Sequence, residues 1–370
     1  MSLWVDKHRP KALSKLTINP ELTNKLVSLA KSEELPHLLV YGPSGAGKKT
    51  RVMALLKEIF GSGVEKIKLE HRSFQTPAKK VIEITTMGSN YHIECNPSDA
   101  GNNDRFVTQE VIKEIASHTS LSSSINMSGS ATSNSSSNTT ANRNFKVVIL
   151  TEVDRLSKQA QASLRRTMER YSAQCRLILI CNSPSRIIDP LKSRCLSIRV
   201  PAPRIQDISD LLVQTAHKEK VTISPELATK MAILSDRNMR RALLMLEASK
   251  VQHGSNILPN ELVLQLPDWE IYITRLARDI MQEQSPAKLI TARDMLYELL
   301  TNCIPADVII ITLTRELMKS LDDSLKHELS YWSAYYEHRL RQGSKDIFHL
   351  EAFVAKFMAI YKKWIVSMFS

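Results

Sequence analysis

No run of apolar residues in the sequence is long enough to cross a bilayer as a helix, which takes about 20 consecutive positions. Residues 1–10 also lack the apolar stretch of a secretory signal. Both absences lead to the expectation of an intracellular protein with no membrane partner. Cysteine is scarce: five in 370 residues, at 95, 175, 181, 195 and 303, and no two form a C-x-x-C pair. That argues against a zinc site or a redox motif, so no resident metal is expected from cysteine, and the five read as small buried hydrophobes. No internal repeat is visible. Acidic residues are in deficit, 38 Asp and Glu against 50 Lys and Arg, which gives a net charge of +12 and an isoelectric point near 9.4. A basic surface fits nucleic acid or an acidic protein partner. The remaining composition, 43% hydrophobic and 24% charged, is that of a globular protein, and the length predicts two or three domains able to form cores without disulfides.

Short apolar runs at 38–41, 145–150, 176–181 and 195–200 alternate with helical patterns, which predicts a parallel sheet covered by helices on both faces. The helices include 157–171, where Leu156, Ala160, Leu164, Met168 and Tyr171 share a face. Segments 65–74 and 81–87 alternate as strands of a β excursion, 91–95 is a further strand and 107–116 a helix. Residues 117–144 are almost entirely small and polar. They bury too little to offset their ordering entropy and are expected to form a disordered loop. After Pro201 and Pro203 the pattern turns wholly helical: 205–218, 225–234 and 239–251, then a turn-rich linker at 253–268, then amphipathic helices from 269 to 364. The expected organisation is an α/β domain over 1–203, a small helical domain over 204–252 and an all-α domain over 253–370.

The first strand runs into Gly42, Pro43, Ser44, Gly45, Ala46, Gly47, Lys48, Lys49 and Thr50, and a helix follows with Val52, Met53, Leu56, Ile59 and Phe60 at helical spacing before Gly61. Strand, glycine loop, lysine and helix in this order make a P-loop. Its backbone N–H groups, the helix N-terminus and Lys48 would cradle phosphates. The motif departs from its pattern at Lys49, where a Ser or Thr hydroxyl normally helps hold Mg²⁺. Thr50 cannot substitute, because one helical step turns a side chain by about 100°. An ammonium at about 4 Å repels a unit charge by about 4 kcal/mol at an effective dielectric of about 20, and a divalent ion roughly twice as much. The strand ending at Leu150 should deliver Asp-Glu and delivers Thr151 and Glu152, so the metal-holding Asp is lost while Glu152 stays where a water-activating base would be. Two metal-holding positions are thus replaced, and the expectation is phosphate binding with hydrolysis slow or absent.

Further motifs point to one family. Trp4, Val5, Asp6, Lys7, His8, Arg9 and Pro10 match a W-V-x-K-Y-R-P opening, with His8 for tyrosine. Residues 96–104 are similar to an N-A-S-D-x-R-G motif, and 164–169, Ser193-Arg194-Cys195 and 238–243 follow in the expected order. As a set these resemble the small subunits of DNA sliding-clamp loaders, the AAA+ proteins of the replication factor C family, over essentially the whole chain except 117–144. The Gly-Lys-Lys-Thr ending, the Thr-Glu pair and the segments 335–340 and 347–357 resemble one particular subunit type.

The resemblance implies an AAA+ α/β domain, a helical lid and a C-terminal helical collar. It implies assembly with four other replication factor C subunits, ATP or ADP between neighbours, and ATP-driven opening of the clamp PCNA for closure on primer–template DNA in the nucleus. Val5, Arg9 and Pro10 would contact the base, Asn182 would face the γ-phosphate as sensor 1, and Arg240 on the lid would be sensor 2. Arg194 would be an arginine finger acting on the neighbour's nucleotide. Each has a plainer alternative: Asn182 a turn residue before Ser183 and Pro184, Arg240 a solvated helix charge beside Arg241, Arg194 a surface arginine. Arg165, Arg166 and Arg170 form either a solvated face or an interface. DNA would be held by its phosphates, at the helix start carrying Ser98 and Arg105, with Lys79, Lys80 and Lys158 as weaker candidates. The aromatic-rich C-terminal helices fit either a closed bundle or packing against partner subunits. The rival functional readings are a free-standing AAA+ DNA-dependent ATPase or helicase motor, and a scaffold whose P-loop holds nothing or a permanent ADP.

Overall fold

The structure is a computed structural model and describes residues 3–32, 34–75, 81–125, 145–172, 174–254, 259, 264 and 266–369. The chain divides into two compact units, Met1–Leu264 and Gln265–Ser370.

The first unit is built on a seven-stranded sheet of order β2-β3-β4-β5-β6-β1-β7. Its strands are β1 (Leu38–Tyr41), β2 (Lys68–Gln75), β3 (Val81–Gly88), β4 (His92–Cys95), β5 (Lys146–Leu150), β6 (Cys175–Cys181) and β7 (Leu196–Arg199). Five of them, from β4 to β7 in spatial order, are parallel; β2 and β3 form an antiparallel hairpin added to β4. Period-two alternation assigns the two faces. Leu38, Val40, Val147, Ile149, Ile178 and Ile180 pack toward helices α2 (Pro20–Lys31) and α3 (Lys48–Phe60). Leu39, Val148, Leu150, Leu177, Leu179 and Cys181 pack toward α4 (Asp104–Ile125) and α5 (Lys158–Arg170). The parallel sheet with helices on both faces is as the sequence predicts.

Helix α4 departs from expectation: it continues through 117–125, the first part of the stretch read as a loop. Serine and threonine are only modestly unfavourable in a helix, and neither glycine nor proline interrupts the chain before Gly129. The rest of that stretch, 126–144, lies outside the described residues. Of the five cysteines, four are buried and Cys303 is exposed. Burial pushes the Cys95 thiol up to about 12 and Cys175 up to about 11, so neither is a reactive thiolate.

Helices α7 (Ile205–Lys218), α8 (Pro225–Leu234) and α9 (Met239–His253) surround a third core of Ile208, Leu212, Leu227, Met231 and Leu246. Caps set their starts: Ser224 accepts from Leu227 N (3.2 Å) with Pro225 at the first helical position, and Asn238 accepts from Arg241 N (3.2 Å). Trp4, on the short helix α1 (Trp4–Lys7), is buried in this same core. The second unit is a five-helix assembly, α10 (Asp268–Gln282), α11 (Pro286–Thr301), α12 (Ala306–Met318), α13 (Asp323–Gln342) and α14 (Asp346–Phe369), around Leu276, Ile309, Leu313, Leu350 and Phe353.

Candidate nucleotide site

Strand β1 ends at Tyr41 and the loop Gly42 to Gly47 turns the chain into α3. Two of its glycines are required by space. A Cβ on Gly42 would meet the Val200 carbonyl oxygen at 2.0 Å. Gly45, at φ +72°, would place a Cβ 1.8 Å from Asn238 Oδ1. Asn238 caps α9, so the helical lid closes directly against the P-loop. Pro43 and Ser44 are exposed and Ala46 is buried.

Lys48 is buried and folds back over the loop. Its Nζ donates to Gly42 O (2.7 Å), Pro43 O (2.9 Å) and Asn182 Oδ1 (2.9 Å). Burial lowers its pKa, opposed by Cys181 and by the Asp154 carboxylate, while Arg240 lowers it further. Asn182 therefore sits at the tip of β6 beside the P-loop lysine, and its backbone N–H donates to Asp154 Oδ2 (3.3 Å). Arg9 reaches the same region and donates from Nε to Thr50 Oγ1 (3.1 Å). Burial lowers the Arg9 pKa, Asp6 and Glu94 oppose this, and Arg240 adds to it. Arg240 is thus within electrostatic reach of both Lys48 and Arg9. The N-terminal segment is anchored to the lid: Trp4 N donates to Glu247 Oε2 (3.1 Å), Lys250 lies over the Trp4 ring (5.1 Å), and Glu219 receives Lys7 (2.7 Å) and His8. Val5 packs at the edge of the lid core, and Pro10 is half-buried where the segment leaves it.

The metal-holding positions are occupied by other chemistry. Lys49 forms an ion pair with the buried carboxylate of Glu94 on β4, Nζ to Oε1 2.5 Å. Thr151 is turned to the Cys95 carbonyl and donates to it from both its N–H (3.1 Å) and its hydroxyl (3.4 Å). Glu152 sits at φ +54° and pairs with Arg155 (3.2 Å). Asp154 keeps one buried oxygen, Oδ1, without a hydrogen-bond partner among the described residues. Among those residues, no cluster of three or more His, Cys, Asp or Glu side chains could hold a metal. The Lys49 ammonium repels a divalent cation at the position where the usual hydroxyl would help hold one. Glu94, Asp154 and Asn238 are site residues that the sequence reading missed. Asp154 left a signal, as an acid two residues past the expected Asp-Glu pair, and Asn238 opens the 238–243 motif.

Two other candidate positions lie apart. Arg194, between α6 (Asp189–Lys192) and β7, donates from Nε to Glu169 Oε1 (2.8 Å) and from Nη1 to Pro190 O (2.8 Å), with Nη2 2.6 Å from the same carboxylate. Arg194 holds the Glu169 carboxyl below its usual range. Arg165 also approaches Glu169 (3.7 Å), while Arg166 and Arg170 are exposed. Ser98 donates to Asn96 Oδ1 (2.6 Å) in the turn preceding α4. Asp104, buried at the start of α4, accepts from the N–H (2.6 Å) and hydroxyl (3.0 Å) of Ser157, the cap of α5. That link ties the N-termini of α4 and α5 together, and Arg105 and Lys158, the residues next to the linked pair, are both exposed. Lys79 and Lys80 lie outside the described residues. Asp104→Ala is expected to cost about 1.5–3 kcal/mol, since a buried charge-assisted pair of hydrogen bonds is lost. Urea unfolding checks this.

The fold is that of the AAA+ class. The Thermotoga maritima RuvB Holliday junction branch migration motor superposes at a TM-score of 0.50, covering 84% of this chain and 91% of that one at 15% identity. A profile described as RCF1/5-like, AAA+ ATPase lid domain matches residues 210–251, and one described as DNA polymerase III, delta subunit matches 18–204. The profile for the C-terminal domain of replication factor C subunit 3 matches 269–365. Replication factor C subunit 3 of Homo sapiens and of Bos taurus are each 50% identical over 365 residues, covering 99% of this chain and 98% of those proteins. Replication factor C subunit 5 of Neurospora crassa is 49% identical over 368 residues, covering 100% and 99%. The chain belongs to this replication factor C subunit family.

Proposed function

We propose that the chain is a nucleotide-binding, catalytically silent subunit of the replication factor C clamp loader. In this reading it joins four other subunits in a complex that uses ATP to open PCNA and load it on primer–template DNA, in nuclear replication and repair. The observation that carries the reading is the contrast within one site. Lys48, Asn182, Arg9 and Arg240 gather at the P-loop, whereas the two metal-holding positions carry Lys49, paired with Glu94, and Thr151, bonded to the Cys95 carbonyl, with Glu152 retained beside them. Such a site can hold the phosphates of ATP or ADP but lacks the means to stabilise the charge that hydrolysis develops. Arg194 acts in trans on the neighbouring subunit's nucleotide, which needs no metal in its own chain. Ser98 and Arg105 meet DNA phosphates at a helix N-terminus, independent of base sequence.

The rival reading, a free-standing DNA-dependent ATPase or helicase motor, requires turnover at this site. In a reconstituted five-subunit complex, Lys48→Ala in this chain is expected to leave DNA- and clamp-stimulated ATP turnover within about twofold of wild type, because uniform binding lost at a silent site touches no transition state. Steady turnover by the purified chain, abolished by Lys48→Ala, would establish the rival instead.

A further inference from the structure

The geometry points to a nucleotide site that works without a divalent cation: the Lys49 ammonium, stored against Glu94, supplies the counter-charge that a metal gives in an ordinary P-loop. The inference rests on the nucleotide-binding reading above and deepens it. Its ligand is a metal-free nucleoside di- or triphosphate.

Three observations lead to it. First, Lys49 stands where the metal-holding hydroxyl would, in the first turn of the 13-residue helix α3. Its side chain is not free in solvent but is paired at 2.5 Å with a carboxylate that is itself only 7% exposed. A buried carboxylate is costly unless paired, so Glu94 fixes where the ammonium goes. Second, Glu94 lies on the α3 side of the sheet. It is in register with Ile149 on β5, and His92 is in register with Val147; both β5 residues belong to the core beneath α3. His92 is buried with Nε2 unpartnered among the described residues, and it adds no charge, because burial and the nearby Lys49 push its pKa down to about 4. Third, the site is already rich in cations. Arg240 lies within electrostatic reach of both Lys48 and Arg9, Arg9 reaches Thr50 of α3, and Arg9 also senses Glu94. A polyphosphate entering here meets fixed positive charge from four side chains. Lys49 can turn toward a phosphate oxygen, since a lysine stem has four rotatable bonds, at the cost of unpairing the Glu94 carboxylate. A divalent ion entering the same place would be repelled by that ammonium.

The test is a titration of the purified full-length chain with a fluorescent ADP, in Mg²⁺ and in excess EDTA. The inference expects the two dissociation constants to agree within about twofold. Glu94→Gln, which releases the ammonium from its carboxylate, is expected to tighten metal-free binding several-fold. The paired change Lys49→Met with Glu94→Gln removes both charges together and leaves no orphaned carboxylate; it is expected to weaken metal-free binding about tenfold relative to Glu94→Gln alone. Weakening of wild-type binding by tenfold or more in EDTA overturns the inference, and relief of that dependence by Asp154→Asn would identify the carboxylate holding the metal. Equal affinity of the paired variant and Glu94→Gln overturns the role of Lys49. Absence of binding in both buffers is a different failure, that of the nucleotide reading itself.

Discussion

Arg194→Ala in this chain is expected to silence the nucleotide site of the neighbouring subunit in a reconstituted complex, with a loss of about 10³-fold or more at that site, the scale of an arginine finger in GTPases. The effect should be on turnover and not on nucleotide affinity, because a finger stabilises charge that develops only in the transition state. The Arg194 guanidinium is held by Glu169 and by the Pro190 carbonyl, and the same Glu169 attracts Arg165. Arg194→Lys should not rescue, since a lysine presents a point charge in place of a planar fork. Single-turnover measurement of the complex, with Lys48→Ala beside it, makes the comparison. A large loss from Arg194→Ala with little from Lys48→Ala supports a finger supplied in trans by a silent subunit. The opposite pattern would mean that this chain's own site turns over ATP and that Lys49 and Thr151 do not disable it.

The sequence disclosed those parts of the molecule whose determinants are local. The P-loop is a contiguous string, and the structure forms it between β1 and α3, with α3 ending at Phe60 before Gly61 at φ +78°. Helices 205–218 and 225–234 have the expected bounds because a proline pair, Ser224 and Pro225 punctuate them. Helix α2 escaped the reading although its signal was present: Pro20 at the first position, then Leu22, Leu26 and Leu29 at helical spacing. What could not be read is tertiary. The partner of Lys49 comes from β4, a strand that flanks neither the P-loop nor α3 in sequence. Asn238 meets Gly45 across nearly two hundred residues. The extension of α4 past Ala116 follows from the absence of a helix breaker, while the composition of that stretch pointed to a loop.

The C-terminal unit invites the second large prediction. Phe353 is fully buried on α14, its ring edge-on to Tyr336 of α13 at 6.2 Å, among Leu350, Phe357 and the leucines of α12. Phe353→Ala should therefore cost about 3–5 kcal/mol, the range for a buried ring replaced by a cavity. A unit of this size has about 5–15 kcal/mol of stability in all, and each kcal/mol moves the melting point by roughly 4–8 °C. A fall of about 15 °C or more is expected. Phe348, five residues earlier, is 61% exposed, and Phe348→Ala should stay within about 0.5 kcal/mol of wild type. Three of the four tryptophans, Trp269, Trp332 and Trp364, lie in Gln265–Ser370, so the thermal transition in tryptophan fluorescence reports mainly this unit. Fluorescent ADP binding reports the other. Each unit has its own core, and loss of the second need not open the first. Phe353→Ala is thus expected to lower the fluorescence transition while nucleotide affinity at 25 °C is unchanged. If affinity and fluorescence fail together as temperature rises, the two units unfold as one cooperative body and the division at residue 264 has no thermodynamic meaning.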